Sequence, residues 1–190
     1  MKVTSAKFIK GIVAEDELLD DGTPQVAFIG RSNVGKSSVI NSLANQGGLA
    51  KTSSFPGRTQ QINVFLINKS VYLVDLPGYG FAKGSKDEQG KIQQLIFWYL
   101  LNSHYKQKVV VLIVDAIVGV TENDFQMLQS LEQANKNIVI VANKVDKLKS
   151  SEYKKKLQAV KNAVGEYKVI AYSAEKKIGA EELAKEVLSA

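Results

Sequence analysis

Gly30-Arg31-Ser32-Asn33-Val34-Gly35-Lys36-Ser37 carries the spacing a backbone needs to wrap a polyphosphate, and it follows the apolar run Val26-Ala27-Phe28-Ile29 directly. The residue types fit that chemistry: the glycines let the chain curl until its N–H groups face phosphate oxygens, which Ser38 continues. Lys36 reaches the outer phosphates and Ser37 offers a hydroxyl to Mg²⁺. From Lys36 to about residue 46 the chain is expected to run as a helix whose N-terminus faces the anion.

Three further segments extend the site. Val71 to Gly78 reads as an apolar strand ending in Asp-x-x-Gly, in which Asp75 can hold the Mg²⁺ shell through water and the Gly78 N–H can sense a γ-phosphate. Ile138 to Asp146 runs into Asn143-Lys144-x-Asp146, where the carboxylate can accept two parallel hydrogen bonds from guanine. Adenine has no such pair of donors, so Asp146 argues for GTP over ATP. Ser173-Ala174 follows a fourth strand pattern, and its backbone could meet the guanine O6. Between the first two motifs lies Phe55-Pro56-Gly57-Arg58-Thr59-Gln60, with Gly57 read as phosphate-facing and Thr59 placed where a switch threonine would complete the metal shell.

The elements that must position these residues follow from hydrophobic periodicity. Strands are expected at about 26–29, 61–67, 71–75, 109–115, 138–142 and 168–172, and helices at about 36–46, 87–103, 122–135, 150–164 and 177–189. Each motif falls just after a strand. The result is an α/β chain, a small GTPase (P-loop NTPase) domain over residues 1–190, with a six-stranded mostly parallel sheet, one antiparallel strand and helices on both faces. Asn68-Lys69-Ser70 reads as the hairpin turn that makes that strand antiparallel. The glycine- and serine-containing stretch from Gln46 to Gln60 reads as the first switch.

The strings Gly-Arg-Ser-Asn-Val-Gly-Lys-Ser-Ser (30–38), Pro-Gly-Arg-Thr-Gln (56–60), Asp-Leu-Pro-Gly-Tyr-Gly (75–80) and Thr-Glu-Asn-Asp (121–124) resemble the EngB family of bacterial GTPases, also written YsxC or YihA. The similarity runs from about Pro24 to Ser173. It implies a GTP-hydrolysing, Mg²⁺-dependent switch acting in assembly of the large ribosomal subunit, and so in normal growth and division, with rRNA as a partner. The chain departs from the family pattern at Asn143, where a threonine is usual, and at Ile117-Val118, where an Arg-His pair is usual. The first departure returns to the generic guanine motif.

Of the 25 basic residues only Arg31 and Arg58 are arginine, and both lie inside nucleotide motifs. A nucleotide kinase would need arginine clamps on two phosphate groups and a lid, and no arginine after residue 58 could supply them. A net charge of +6 suits a polyanionic partner. Lys154, Lys155, Lys156 and Lys161 on the helix at 150–164 are candidate RNA contacts, against the alternative of an ordinary solvated helix face. The absence of cysteine excludes disulfides, thiolate metal sites and a cysteine nucleophile. No apolar run reaches a membrane span, and Met1-Lys2-Val3 lacks a signal-peptide core, so a cytoplasmic monomer with no membrane partner is expected. His104, the single histidine, gets no catalytic role.

Hydrolysis poses its own question. Where many GTPases place a water-orienting glutamine after Asp-x-x-Gly, this chain has Tyr79, so slow unassisted turnover is expected with Lys36 and Thr59 as the catalytic groups. Two candidates could supply the missing charge: Arg58 in cis, or a potassium ion held partly by Asn33, since asparagine at this place in the loop resembles a potassium-stimulated group of GTPases. Competing readings are a phosphoryl-transfer enzyme on a small acceptor and an RNA-binding protein in which hydrolysis is incidental.

Overall fold

The computed structural model describes residues 3–51, 61–80 and 85–188, apart from the Lys86 side chain. One seven-stranded sheet organises them, in the order β1-β3-β4-β2-β5-β6-β7. The strands are β1 (Ala6–Ile12), β2 (Gln25–Gly30), β3 (Ile62–Ile67), β4 (Val71–Asp75), β5 (Gln107–Asp115), β6 (Ile138–Asn143) and β7 (Lys168–Ala171). β3 pairs antiparallel with both β4 and β1, while the other neighbours are parallel. The expected hairpin is present, and β3 is the strand that runs against the rest.

The sheet has one strand more than the six read from the sequence. β1 escaped because Lys7, Lys10 and Gly11 break its apolar run, its register shifts between Phe8 and Lys10, and Phe8 is 46% exposed. Lysines and a bulge of this kind blunt an edge against further pairing. The central strand β2 shows the opposite pattern, buried along its whole length between β4 and β5.

Alternation along the strands builds two cores. On one face Val26, Phe28, Leu73, Val111, Ile113, Val141 and Ile170 pack against α1 (Lys36–Leu43) and α5 (Ala180–Leu188) through Val39, Ile40, Leu43, Leu183 and Val187. On the other, Ala27, Ile29, Val74, Val110, Leu112 and Ile140 pack against α2 (Lys86–Phe97), α3 (Glu122–Gln133) and α4 (Ser150–Val164). α2 continues into a wider turn, Trp98–Asn102, closed by Ser103 N–H to the Trp98 carbonyl at 2.7 Å. Phe97, Trp98 and Leu101 pack against the same core as Ile92, Ile96, Tyr99 and Leu100, so this helix buries two sides. Since the crossovers leave β2, β4, β5 and β6 from the same end, the loops there converge, which is where open α/β sheets bind ligands.

Candidate nucleotide site

β2 delivers Gly30 to the C-terminal end of the central strands, and the next five residues form a loop in which the Val34 N–H donates to the Arg31 carbonyl at 3.3 Å. Asn33 has φ 69° and Gly35 φ 92°, two left-handed steps that turn the chain into α1. At Gly35 an added Cβ would lie 2.5 Å from the Asn143 Nδ2, so both the conformation and the space call for glycine. Gly35 caps α1 with no side chain in the way, leaving the first-turn N–H groups available to an anion. Val34 is buried beneath the loop.

Lys36 opens α1 and pairs with Asp75 at the end of β4, both side chains almost fully buried. A buried ion pair gains little net stability, because desolvation consumes most of the attraction. The pair joins an ammonium at the start of α1 to a carboxylate at the end of β4, the kinds of group that a phosphate and a hard divalent cation would call on. The metal-ligating set foreseen from the sequence, Ser37, Thr59 and Asp75, is all oxygen, which fits Mg²⁺. Gly57, Arg58 and Thr59 lie outside the described residues. The stretch leading to them is anchored at Ala50, whose N–H and carbonyl both bond the Asn41 amide, at 2.6 and 2.9 Å.

The guanine motif is placed by β6 and the loop after β7. Lys144, at φ 69°, turns back so that its ammonium donates to the Asn33 carbonyl at 2.8 Å and to Asp115 at 2.7 Å. Asn143 donates to the Val34 carbonyl at 2.9 Å and receives a long contact, 3.4 Å, from the Ala174 N–H. These two residues therefore brace the phosphate loop rather than point outward. Asp146, the residue expected from the sequence to accept from guanine, follows on the short turn Val145–Lys147. A hydrogen bond from Ser173 holds its carboxyl below the usual carboxylate range, outweighing the opposing effect of burial, and Lys147 at 3.3 Å adds to it. Ser173 in turn is fixed by the turn through residues 174–179, with its Oγ accepting the Lys176 N–H at 2.9 Å and its own N–H donating to the Ile178 carbonyl at 3.1 Å. That turn also explains why α5 starts at Ala180 and not near residue 177.

Gly78 lies against the phosphate loop, where an added Cβ would come within 3.0 Å of the Ser32 backbone. The Ser32 N–H donates to the Tyr79 carbonyl at 3.0 Å, and the Tyr79 N–H to the Gly30 carbonyl at 3.3 Å. The Tyr79 hydroxyl turns away and donates to Asp124 at 2.8 Å, while Arg31 Nε donates to the other Asp124 oxygen at 3.0 Å. Burial, then the Asp124 charge, pushes the Tyr79 hydroxyl far above its ordinary pKa, so it stays protonated and donates. The Arg31 side chain is thus committed to Asp124 and supports the loop.

Two supporting carboxylates were missed in the sequence. Asp115, at the end of β5, accepts from Lys144 and from the N–H groups of Ile117 and Val118. Its signal was its place after a strand, the same as that of Asp75. Asp124 carried the capping-box spacing Thr121-x-x-Asp124, which foretells a helix start but not its partners across the fold. Lys154, Lys155 and Lys161 are exposed on α4, whereas Lys156 is half-buried and donates to the Ile117 carbonyl at 2.6 Å. Ile117 and Val118, the departure from the Arg-His pattern, are 41% and 59% exposed.

The profile of the family described as 50S ribosome-binding GTPase matches residues 25–144, and that of the elongation factor Tu GTP-binding domain matches residues 101–190. A probable GTP-binding protein EngB of Clostridium perfringens (strain SM101 / Type A) is 45% identical over 186 residues, 96% of this chain and 94% of the relative. A crystal structure of a probable GTP-binding protein engB superposes with a TM-score of 0.71 at 26% identity, covering 86% of this chain and 96% of that one. The crystal structure of NFeoB from S. thermophilus bound to GDP.AlF4- and K+ does so with a TM-score of 0.65 at 25% identity, over 87% and 61%.

Proposed function

Because the chain belongs to the EngB family of GTP-binding proteins and is a GTPase, we propose that it is a GTP-dependent assembly factor for the large ribosomal subunit. The observation that carries this reading is the match of residues 25–144 to a family described as 50S ribosome-binding GTPases. It acts as a monomer in the cytoplasm, on rRNA and not on a membrane; no helix among the described residues is long and apolar enough to cross one. Normal growth and division are expected to depend on it.

The residues divide the work of binding and hydrolysis. Asp146 takes the guanine N1–H and N2–H₂, with Ala174 beside the O6. The N–H groups of residues 30–38 surround the α- and β-phosphates, Lys36 exchanges its Asp75 partner for the outer phosphates, and the Gly78 N–H meets the γ-phosphate. Mg²⁺, when bound, neutralises the charge shared by the β- and γ-phosphates, and Ser37, Thr59 and Asp75 through water would hold it. Water attacks the γ-phosphorus, the bond to the β-phosphate oxygen breaks, and GDP and phosphate leave. Tyr79, tethered to Asp124, takes no part in orienting that water. Lys36 meets the transition-state charge together with one of two helpers: Arg58, or a K⁺ ion, which the exposed Asn33 would hold in part and which would supply a positive charge there, as the K⁺-bound NFeoB neighbour suggests.

Cosedimentation with purified large-subunit particles tests the reading. Binding in the presence of GTP analogue or GDP, above that of the nucleotide-free protein, is expected. Equal pelleting with and without nucleotide, or none, would contradict it.

A further inference from the structure

Asp124 does more than a helix cap requires. Its relative exposure is 0%, and its carboxylate accepts four hydrogen bonds: from the N–H and hydroxyl of Thr121 at 2.9 and 2.7 Å, from Arg31 Nε at 3.0 Å and from the Tyr79 hydroxyl at 2.8 Å. Thr121 alone would complete the cap of α3. The other two donors come from the first turn of the phosphate loop and from the residue after Gly78, segments more than forty residues apart in the chain. Gly80, on the far side of Tyr79, is pressed against the Asn123 amide, where an added Cβ would come within 2.8 Å.

We infer that Asp124 is a positioning residue that clamps the Asp-x-x-Gly segment to the phosphate loop, so that the Gly78 N–H is already in place for a γ-phosphate. The inference rests on the reading of this site as a GTP site. Backbone pairing of residues 30–32 with Tyr79 sets the register between the two segments, and the Arg31–Asp124–Tyr79 bridge fixes it from behind. Charge-assisted hydrogen bonds to a buried carboxylate are the strong kind, and here four donors converge on Asp124, joining what they come from even though the buried Arg31 Nη2 has no partner of its own. GDP uses the loop but makes no demand on Gly78, whereas GTP uses both. The clamp therefore acts on the preference for triphosphate over diphosphate. It also takes the Arg31 and Tyr79 side chains out of the reaction, which is why help in hydrolysis must come from elsewhere.

Titration calorimetry in Mg²⁺ with GDP and with guanosine 5′-[β,γ-imido]triphosphate tests this on the parent, Tyr79→Phe, Asp124→Asn and the double variant. Tyr79→Phe removes one charge-assisted bond and no volume, so binding of the imido analogue should weaken by about fivefold or more while GDP stays within about twofold. The double variant should be no worse than Asp124→Asn alone, since the two share one interaction. An unchanged analogue affinity in Tyr79→Phe, or an equal loss for both nucleotides, would overturn the clamp. If Asp124→Asn fails to fold, as its thermal unfolding would reveal, the Tyr79→Phe ratio decides. A parent that binds neither nucleotide would bring down the GTP-site reading and the clamp with it, whereas a parent that binds both beside an unchanged variant ratio refutes the clamp alone.

Discussion

At the scale of a single residue, Asp146 is the proposed reader of the base, and its partners suit it to that role. The Ser173 hydroxyl and the Lys147 ammonium keep the carboxyl ionised below its usual range. A lowered carboxylate pKa means the charge is present above the ordinary value of 3.8 and is lost only as pH falls through the lower, folded value. Guanine binding should therefore hold its affinity from neutrality down to about pH 5 as far as this group is concerned. Asp146→Asn should weaken GTP and improve xanthosine triphosphate, because an amide can donate to the new carbonyl oxygen; competition binding reads both, and equal GTP affinity would remove Asp146 from the base site. Lys36→Ala and Ser37→Ala delete the proposed charge partner of the phosphates and the proposed metal ligand, contacts worth about 1.5–3 kcal/mol each. Calorimetry with GTP and Mg²⁺ should register a loss of about tenfold or more for each.

Single elements are only as good as the turns that end them, and here the left-handed steps at Asn33, Gly35 and Lys144 aim the site. Gly35→Ala must strain φ and push on Asn143, so a destabilisation of about 1–3 kcal/mol in urea unfolding is expected, together with loss of nucleotide binding. Gly47→Ala, with nothing within 4 Å, is the control and should be near neutral. The same contrast explains what could be read in advance. β2, β4, β5 and β6 are buried on both sides, so their apolar runs and the motifs at their ends stood out. β1 is an edge strand with lysines and a bulge, and its pattern is that of a solvated loop. Asp115 and Asp124 meet their partners across the fold, at separations that local spacing does not encode. The brace formed by Asn143 and Lys144 was hidden for the same reason: the motif named the residues, and the phosphate loop they grip lies more than a hundred positions away.

The charge distribution belongs to the whole molecule. Lys154 and Lys155 stand on the outer side of α4, whose inner side is pinned by Val160 and Val164, and Lys156 is tied to the Ile117 carbonyl at the edge of the nucleotide site. Replacing the exposed Lys154, Lys155 and Lys161 by Glu should weaken binding to large-subunit particles and flatten its salt dependence, with GTP affinity unchanged. Unchanged pelleting would return α4 to an ordinary solvated face. The source of catalytic help is also read at this scale, by turnover in KCl against NaCl at equal ionic strength for the parent, Asn33→Ala and Arg58→Ala. Potassium stimulation that Asn33→Ala abolishes assigns the charge to the cation; loss of turnover in Arg58→Ala with binding intact assigns it to the arginine.

The central claim, a GTPase whose hydrolysis serves the large subunit, is tested most directly by multiple-turnover GTP hydrolysis with and without large-subunit particles. With Tyr79 held by Asp124 and no glutamine in its place, the protein alone should turn over on the order of 10⁻⁴ s⁻¹. Added particles should raise that rate by about tenfold or more, as expected when a partner supplies or organises the missing charge. A rate that is the same with and without particles, at concentrations where the protein sediments with them, would contradict the account and leave an RNA-binding protein in which hydrolysis is incidental.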